Sequence, residues 1–285
     1  MAGSKYADFI HSCSANRKCD TIWRTADSLN LPRLANVRHW RDGEVLAQAV
    51  LISLRDPDDK MAEHERMCFA ESARLPISEL AMCHILEKTP SIDELSHARA
   101  LFFGGSGAYS VLDPHPWITD TISLMLEVID RKIPAYASCF GFQGLARALG
   151  GTVIHDEQLT EMGSYELKLT DAGREDHLFS SLPNAFWAQE GHHDHVIEVP
   201  KGVTILATGD LVHAQAFRVN NAPFWASQFH PELTFERTIE RFRHYSEHYL
   251  AGQDEQQDQE LSQLQGGQNS PEVPELLARV VRGQF

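Results

Sequence analysis

The residues able to do chemistry are gathered in two short stretches. Tyr136-Ala-Ser-Cys-Phe-Gly-Phe-Gln-Gly144 follows an apolar run and a proline and opens a helical pattern. A cysteine at a sharp strand-to-helix turn stands at a helix N-terminus, where the dipole and free amides favour the thiolate. Cys139 is therefore a candidate nucleophile. It then needs a proton acceptor, a group that orients the acceptor, and donors for a developing oxyanion. Gln228-Phe-His-Pro-Glu232 supplies the first two. His230 lies between a strand pattern and a helix pattern, Pro231 stiffens the turn, and Glu232 is placed to fix the imidazole tautomer. The backbone amides of Phe140 and of Gly104 or Gly105 are the natural oxyanion donors, since glycine lets the backbone approach a substrate closely. Each piece alone has a plainer reading: a core cysteine, a capped helix start, a loop. Their joint occurrence at matching structural places is what points to attack on an amide carbonyl.

Positioning these groups is the task of alternating strands and helices. The spacing predicts a strand over 45–54, a helix over 60–72, a strand over 100–103 ending at Gly104-Gly-Ser-Gly107, and a helix over 120–131. A strand over 133–137 then leads to Cys139 and a helix over 141–149. Such alternation implies a mostly parallel sheet with helices on both faces, an α/β fold. Reactive groups in such sheets gather at the carboxyl ends of strands, where Gly104–Gly107 and Cys139 both fall. Shorter β-like runs follow over 152–154, 165–169, 195–199, 204–207, 214–219 and 224–229, then a helix over 235–250. Three parts result: an N-terminal extension of unassigned role over 1–44, a catalytic domain over 45–250, and a polar linker with a short amphipathic segment over 251–285.

Composition narrows the function classes. The chain has 285 residues, 42% of them hydrophobic, enough for a sizeable core. Forty acidic against 25 basic residues give a net charge of -15, which argues against a broad nucleic-acid face or docking on anionic lipid. Five cysteines without a CxxC pair suit a reducing compartment, and no run approaches the roughly 20 apolar residues of a membrane span. The reading is a cytoplasmic protein without nucleic-acid or membrane partners. Cys13 and Cys19 with His11 and His39 match no zinc spacing, and neighbours among His192, His193 and His195 point to opposite strand faces, so neither a metal nor a cofactor is expected.

Taken together, these stretches resemble a known family. Ala137-Ser-Cys-Phe-Gly-Phe-Gln143 is similar to the G-x-C-x-G-x-Q signature of class I (triad) glutamine amidotransferases, and Gln228–Glu232 to the family's QFHPE signature. Ala148-Leu-Gly-Gly151, Phe103-Gly-Gly-Ser-Gly107, Ser110–Ile118 and Gly191–Val196 resemble further family segments, the last two those of GMP synthase-like members. The resemblance implies a flavodoxin-like domain in which Cys139 forms a γ-glutamyl thioester, His230 moves protons and Glu232 orients His230. It implies oxyanion donors at Gly105 and Phe140, and substrate contacts from Gly104, Ser106, Gln143, His192 and Asp194. Three departures stand out: Ala137 and Ala226 replace glycines, and Ser138 replaces a branched apolar residue. A left-handed backbone at Ala137 would be strained, and the Ser138 hydroxyl is free to bond locally.

No Walker-type loop and no SGG-x-D pyrophosphatase signature occur in the sequence. Three readings stay open. The protein donates ammonia from glutamine to a synthetase or acceptor subunit in trans. It acts alone as a hydrolase of γ-glutamyl amides or peptides. Or it is a non-catalytic interaction protein that retains the motifs. Self-association is left open with them.

Overall fold

The computed structural model describes residues 47–249, 264 and 266–285. The extension over 1–44, with its cysteines, and most of the polar stretch after 250 lie outside the described residues. Four central strands are β1 (Ala49–Ser53), β2 (Leu80–His84), β3 (Ala100–Phe103) and β4 (Ala135–Ser138), of which β1, β3 and β4 fall where the spacing places strands. With β11 (Phe224–Ser227) they pair in parallel in the order β2-β1-β3-β4-β11. β11 continues into an antiparallel wing made of β10 (Ala216–Val219), β9 (Val203–Thr208), β6 (Glu161–Leu169) and β7 (Ala185–His192). A separate ribbon pairs β5 (Thr152–His155) with β8 (Asp194–Glu198).

Strand periodicity splits the core in two. Val50 and Ile52 face one side of the sheet, against α3 (Pro116–Asp130) and α4 (Phe140–Ala148). Ala49 and Leu51 face the other, against α1 (Lys60–Ser72) and the C-terminal helix α7 (Glu275–Arg282). The remaining helices are α2 (Ile92–Leu95), α5 (Asp171–Glu175) and α6 (Phe235–Tyr249). No helix among the described residues is long and apolar enough to cross a membrane.

Two features depart from the sequence patterning. It misses β2 and β7; in β7 the polar residues Gln189 and Glu190 break the apolar pattern. The segment behind the polar linker docks on its own core. Leu276, Leu277 and Val280 of α7 are fully buried, and the helix packs on α1 and on β4. Ahead of it, the Ser270 N–H donates to the Trp187 carbonyl at 3.1 Å and Gln189 Nε2 donates to Asn269 Oδ1 at 2.8 Å, fastening the tail to β7.

Candidate active site

Parallel pairing brings the ends of β3, β4 and β11 together, and the site is built there. Cys139 occupies the turn between β4 and α4 with φ 52° and ψ -108°, a backbone that L-residues rarely adopt. Its N–H donates to the Ser227 carbonyl on β11 at 2.9 Å, which anchors the turn to the sheet. The strain expected at Ala137 therefore falls on Cys139 itself, because Ala137 is an ordinary strand residue paired with Phe103 and Ala226. Gly141 is required for space: a Cβ there would stand 2.8 Å from the Phe103 carbonyl oxygen and 3.1 Å from Ala137 Cβ. The Ser138 hydroxyl, buried, has no hydrogen-bond partner among the described residues.

His230 follows β11, and its N–H donates to the Gln189 carbonyl on β7 at 2.9 Å. Its Nδ1 donates to Glu232 Oε1 at 2.6 Å, leaving Nε2 as the working nitrogen. Burial raises the Glu232 pKa, but the charge and hydrogen bond of His230, with Arg241 at 3.8 Å, outweigh it and hold the carboxyl below its ordinary range. Cys139 Cβ and His230 Cε1 both crowd Gly105: a Cβ on that glycine would lie 3.7 and 3.0 Å from them. The three predicted catalytic residues thus meet, and Cys139 and His230 line one cavity of about 170 Å³.

The thiol is not the preformed thiolate that a helix N-terminus suggests. Burial, then the carboxylates Glu190 and Glu232, push the Cys139 pKa up to about 12, against a smaller opposing effect of the Phe140 amide hydrogen-bonded to the sulfur. Desolvation wins over the helix terminus here. Phe140 is accordingly in place as a donor at the sulfur. Gly105 is not: its N–H donates to Glu65 Oε1 at 3.0 Å, and that carboxylate is fully buried against Arg55 Nε at 3.3 Å. The predicted oxyanion donor is thus taken up by Glu65 and is not free to face the cavity.

The predicted substrate contacts divide. Ser106, Gln143, His192 and Asp194 all line the cavity. Gln143 spends its amide protons internally, on the Asp194 carbonyl at 2.9 Å and Gln228 Oε1 at 3.2 Å, so its oxygen is the atom left to face a substrate. Asp194 accepts from Ser110 Oγ at 2.5 Å and pairs with His155 Nδ1 at 2.9 Å. Gly104 works as spacing: a Cβ there would meet the Glu65 carboxyl carbon at 2.8 Å.

At the cavity wall His192 and Glu190 join Glu161 in a buried cluster. His192 Nδ1 donates to the Asp194 carbonyl at 3.1 Å, and its Nε2 lies 3.0 Å from Glu161 and 3.3 Å from Glu190. Burial opposes the charge on His192, yet the two carboxylates prevail and push its pKa up to about 9. Burial raises Glu190 to about 7. Glu161, Glu190 and His192 present ligand-type atoms within 4.8 Å of one another. With both ring nitrogens of His192 donating, the imidazole offers no lone pair to a metal, and the set is an ion cluster.

The sequence model of the glutamine amidotransferase class-I family matches residues 79–242. A glutamine-hydrolyzing GMP synthase subunit from Sulfolobus acidocaldarius is 31% identical over 159 residues, 54% of this chain and 79% of that protein. A glutamine-hydrolyzing GMP synthase from Mycolicibacterium paratuberculosis is 32% identical over 166 residues, 56% of this chain, but the match spans only 30% of that longer protein. Among solved structures, a glutamine amidotransferase from Thermotoga maritima superposes with a TM-score of 0.60 at 19% identity, covering 82% of this chain and 98% of that one. Another, from Methylobacillus flagellatus, gives 0.58 at 16% identity, covering 84% and 95%. The family match spans more than half of the sequence and includes both the cysteine turn and the histidine that faces it, and the chain belongs to the class I glutamine amidotransferases.

Proposed function

We propose that this protein hydrolyses the side-chain amide of glutamine through a γ-glutamyl thioester on Cys139 and passes the ammonia in trans to a separate synthetase. The observation that carries this reading is the convergence of a strained cysteine turn and the His230–Glu232 pair on one cavity. Because the resting thiol keeps its proton, His230 Nε2 takes that proton as sulfur attacks the amide carbon. A bond forms between sulfur and carbon, the carbon–nitrogen bond breaks, and the proton leaves on ammonia. Water then attacks the thioester, gives a proton to His230 and releases glutamate, and the thiol recovers that proton. Glu232 holds the imidazole in the tautomer both steps need.

Two observations favour glutamine and a partner over a larger γ-glutamyl substrate hydrolysed alone. The cavity of about 170 Å³ is well under the roughly 300–1,000 Å³ of sites for drug-sized ligands. The Gly105 amide is held by Glu65, so the isolated protein rests with an unfinished oxyanion hole that a docking partner would complete. The test is release of glutamate from glutamine, γ-glutamyl peptides and γ-glutamyl amines, with Cys139→Ala as control. Slow turnover of glutamine that vanishes in Cys139→Ala is expected. Turnover that survives in Cys139→Ala refutes the mechanism, and preference for the larger donors refutes the substrate.

A further inference from the structure

The segment ahead of α7 lies against the back of the candidate site. Gln189 of β7 is buried, and its carbonyl accepts the His230 N–H at 2.9 Å in a β-bridge between the two residues. Its side-chain amide, buried with it, finds acceptors in Ser164 Oγ at 3.0 Å and in the tail, where Nε2 donates to the Gln268 carbonyl at 2.9 Å and to Asn269 Oδ1 at 2.8 Å. Asn269 is at the surface, but its oxygen reaches inward and accepts a second bond, from the Phe235 N–H at 3.0 Å. Phe235 opens α6, so this is one of the amides a helix leaves without an internal partner. One oxygen therefore ties β7 to the head of α6. The His230–Glu232 turn runs between these elements: β7 holds the His230 backbone, and α6 sets Arg241 3.8 Å from Glu232 Oε1. Reciprocal bonds between Ser270 and Trp187, at 3.1 and 2.9 Å, fix the register of the tail on β7, and Leu264 reaches the cavity wall. The family match ends at residue 242, so the tie comes from outside the matched region.

We propose that Asn269 is a positioning residue for His230, and that the C-terminal segment thereby serves the site as well as the core. This rests on the reading of His230 as the proton acceptor. An imidazole that takes a proton from a buried thiol and returns it must keep Nε2 in place, since misplacement by about 1 Å costs on the order of 100-fold. The backbone bond to Gln189 holds His230 only as firmly as β7 and α6 are held to each other, and the Asn269 oxygen supplies that hold.

The experiment measures glutamine turnover and melting midpoints for wild type, Asn269→Ala, Asn269→Asp and Leu277→Ala. It also follows the proton NMR resonance of His230 Nδ1–H in its 2.6 Å bond to Glu232, identified by its loss in His230→Gln. Asn269→Ala drops both accepted bonds and should lower kcat about 5- to 30-fold, with KM changed less than about twofold. Asn269→Asp still accepts both, with a charge that suits a helix N-terminus, and should recover to within about threefold of wild type. Leu277→Ala loosens the same tail from the core and should melt lower without losing kcat, which separates positioning from stability. The Nδ1 resonance should shift or broaden in Asn269→Ala and not in Asn269→Asp. An unchanged kcat in Asn269→Ala, or equal losses in both Asn269 variants, would overturn the proposal. Absence of Cys139-dependent turnover in wild type would instead sink the functional reading; the resonance then decides, and one identical in Asn269→Ala and wild type overturns the positioning role.

Discussion

Leu277 tests whether the C-terminal helix is part of the fold. It is fully buried on α7, in the cluster shared with Phe69 of α1 and Tyr136 of β4. Leu277→Ala removes three buried carbons and leaves a cavity, a change that costs about 2–5 kcal/mol in well-packed cores. Taking about 3 kcal/mol, and roughly 2–4 °C per kcal/mol for a domain of this size, the midpoint should fall by roughly 6–12 °C. Calorimetry on Leu277→Ala against Leu126→Ala, which alters a 39%-exposed leucine of α3 and should shift stability by no more than about 0.5 kcal/mol, separates burial from composition. Because α7 packs on the strand that leads into Cys139, heat inactivation should move with the midpoint while turnover well below it stays unchanged. A midpoint within about 2 °C of wild type would refute the argument and mean that the tail leaves the core in solution.

Three further outcomes are expected. Alkylation of Cys139 by iodoacetamide should be slow at pH 7 and climb to pH 9 without a plateau, because burial and Glu190 push the thiol up to about 12; a plateau near neutrality would contradict a protonated resting state. Glu65→Gln replaces a charged acceptor at the Gly105 amide by a neutral one, releasing about 1 kcal/mol of restraint and raising basal glutaminase roughly fivefold. A fall in kcat with an unchanged melt would show that the Glu65 contact supports catalysis. The His192 cation is held by Glu161 and Glu190 above its ordinary value of 6.5, up to about 9. Its stabilisation is therefore complete below pH 6.5 and drains away as pH climbs toward 9. Urea midpoints that stay flat across that window would contradict the ion cluster.

The grouping of Cys139, His230 and Glu232 is legible in the sequence because each sits in a short contiguous stretch whose backbone role is local. Cys139 is at a turn after an apolar strand, and His230 and Glu232 surround a proline at a helix approach. Three of the parallel strands, β1, β3 and β4, are legible for the same reason, as fully buried runs. Glu190, Glu161 and Glu65 are not, since what matters about them is a neighbour far along the chain or a burial that no run of residues announces: Glu161 meets His192, and Glu65 meets the Gly105 amide. No local pattern encodes such a pairing. The tail is legible in part. A polar stretch signals a linker, yet Leu276, Leu277, Val280 and Val281 behind it form a stripe at helical spacing, and only the fold shows that the stripe belongs to this core. One signal was available for β7: His192 and His193 mark its end and the turn that follows, but their chemistry draws attention away from the strand.

The backward-twisted residue at the head of α4 has a consequence for laboratory evolution. A φ of 52° at Cys139 stores about 1–3 kcal/mol that any side chain bearing a Cβ must bear and glycine escapes. Cys139→Gly should therefore melt higher than Cys139→Ala. A library screened for heat resistance alone would be drawn toward glycine at the position of the proposed nucleophile, and a lineage released from selection for activity would drift the same way. On the proposed mechanism it is use that holds the cysteine in place, against the preference of the fold that surrounds it.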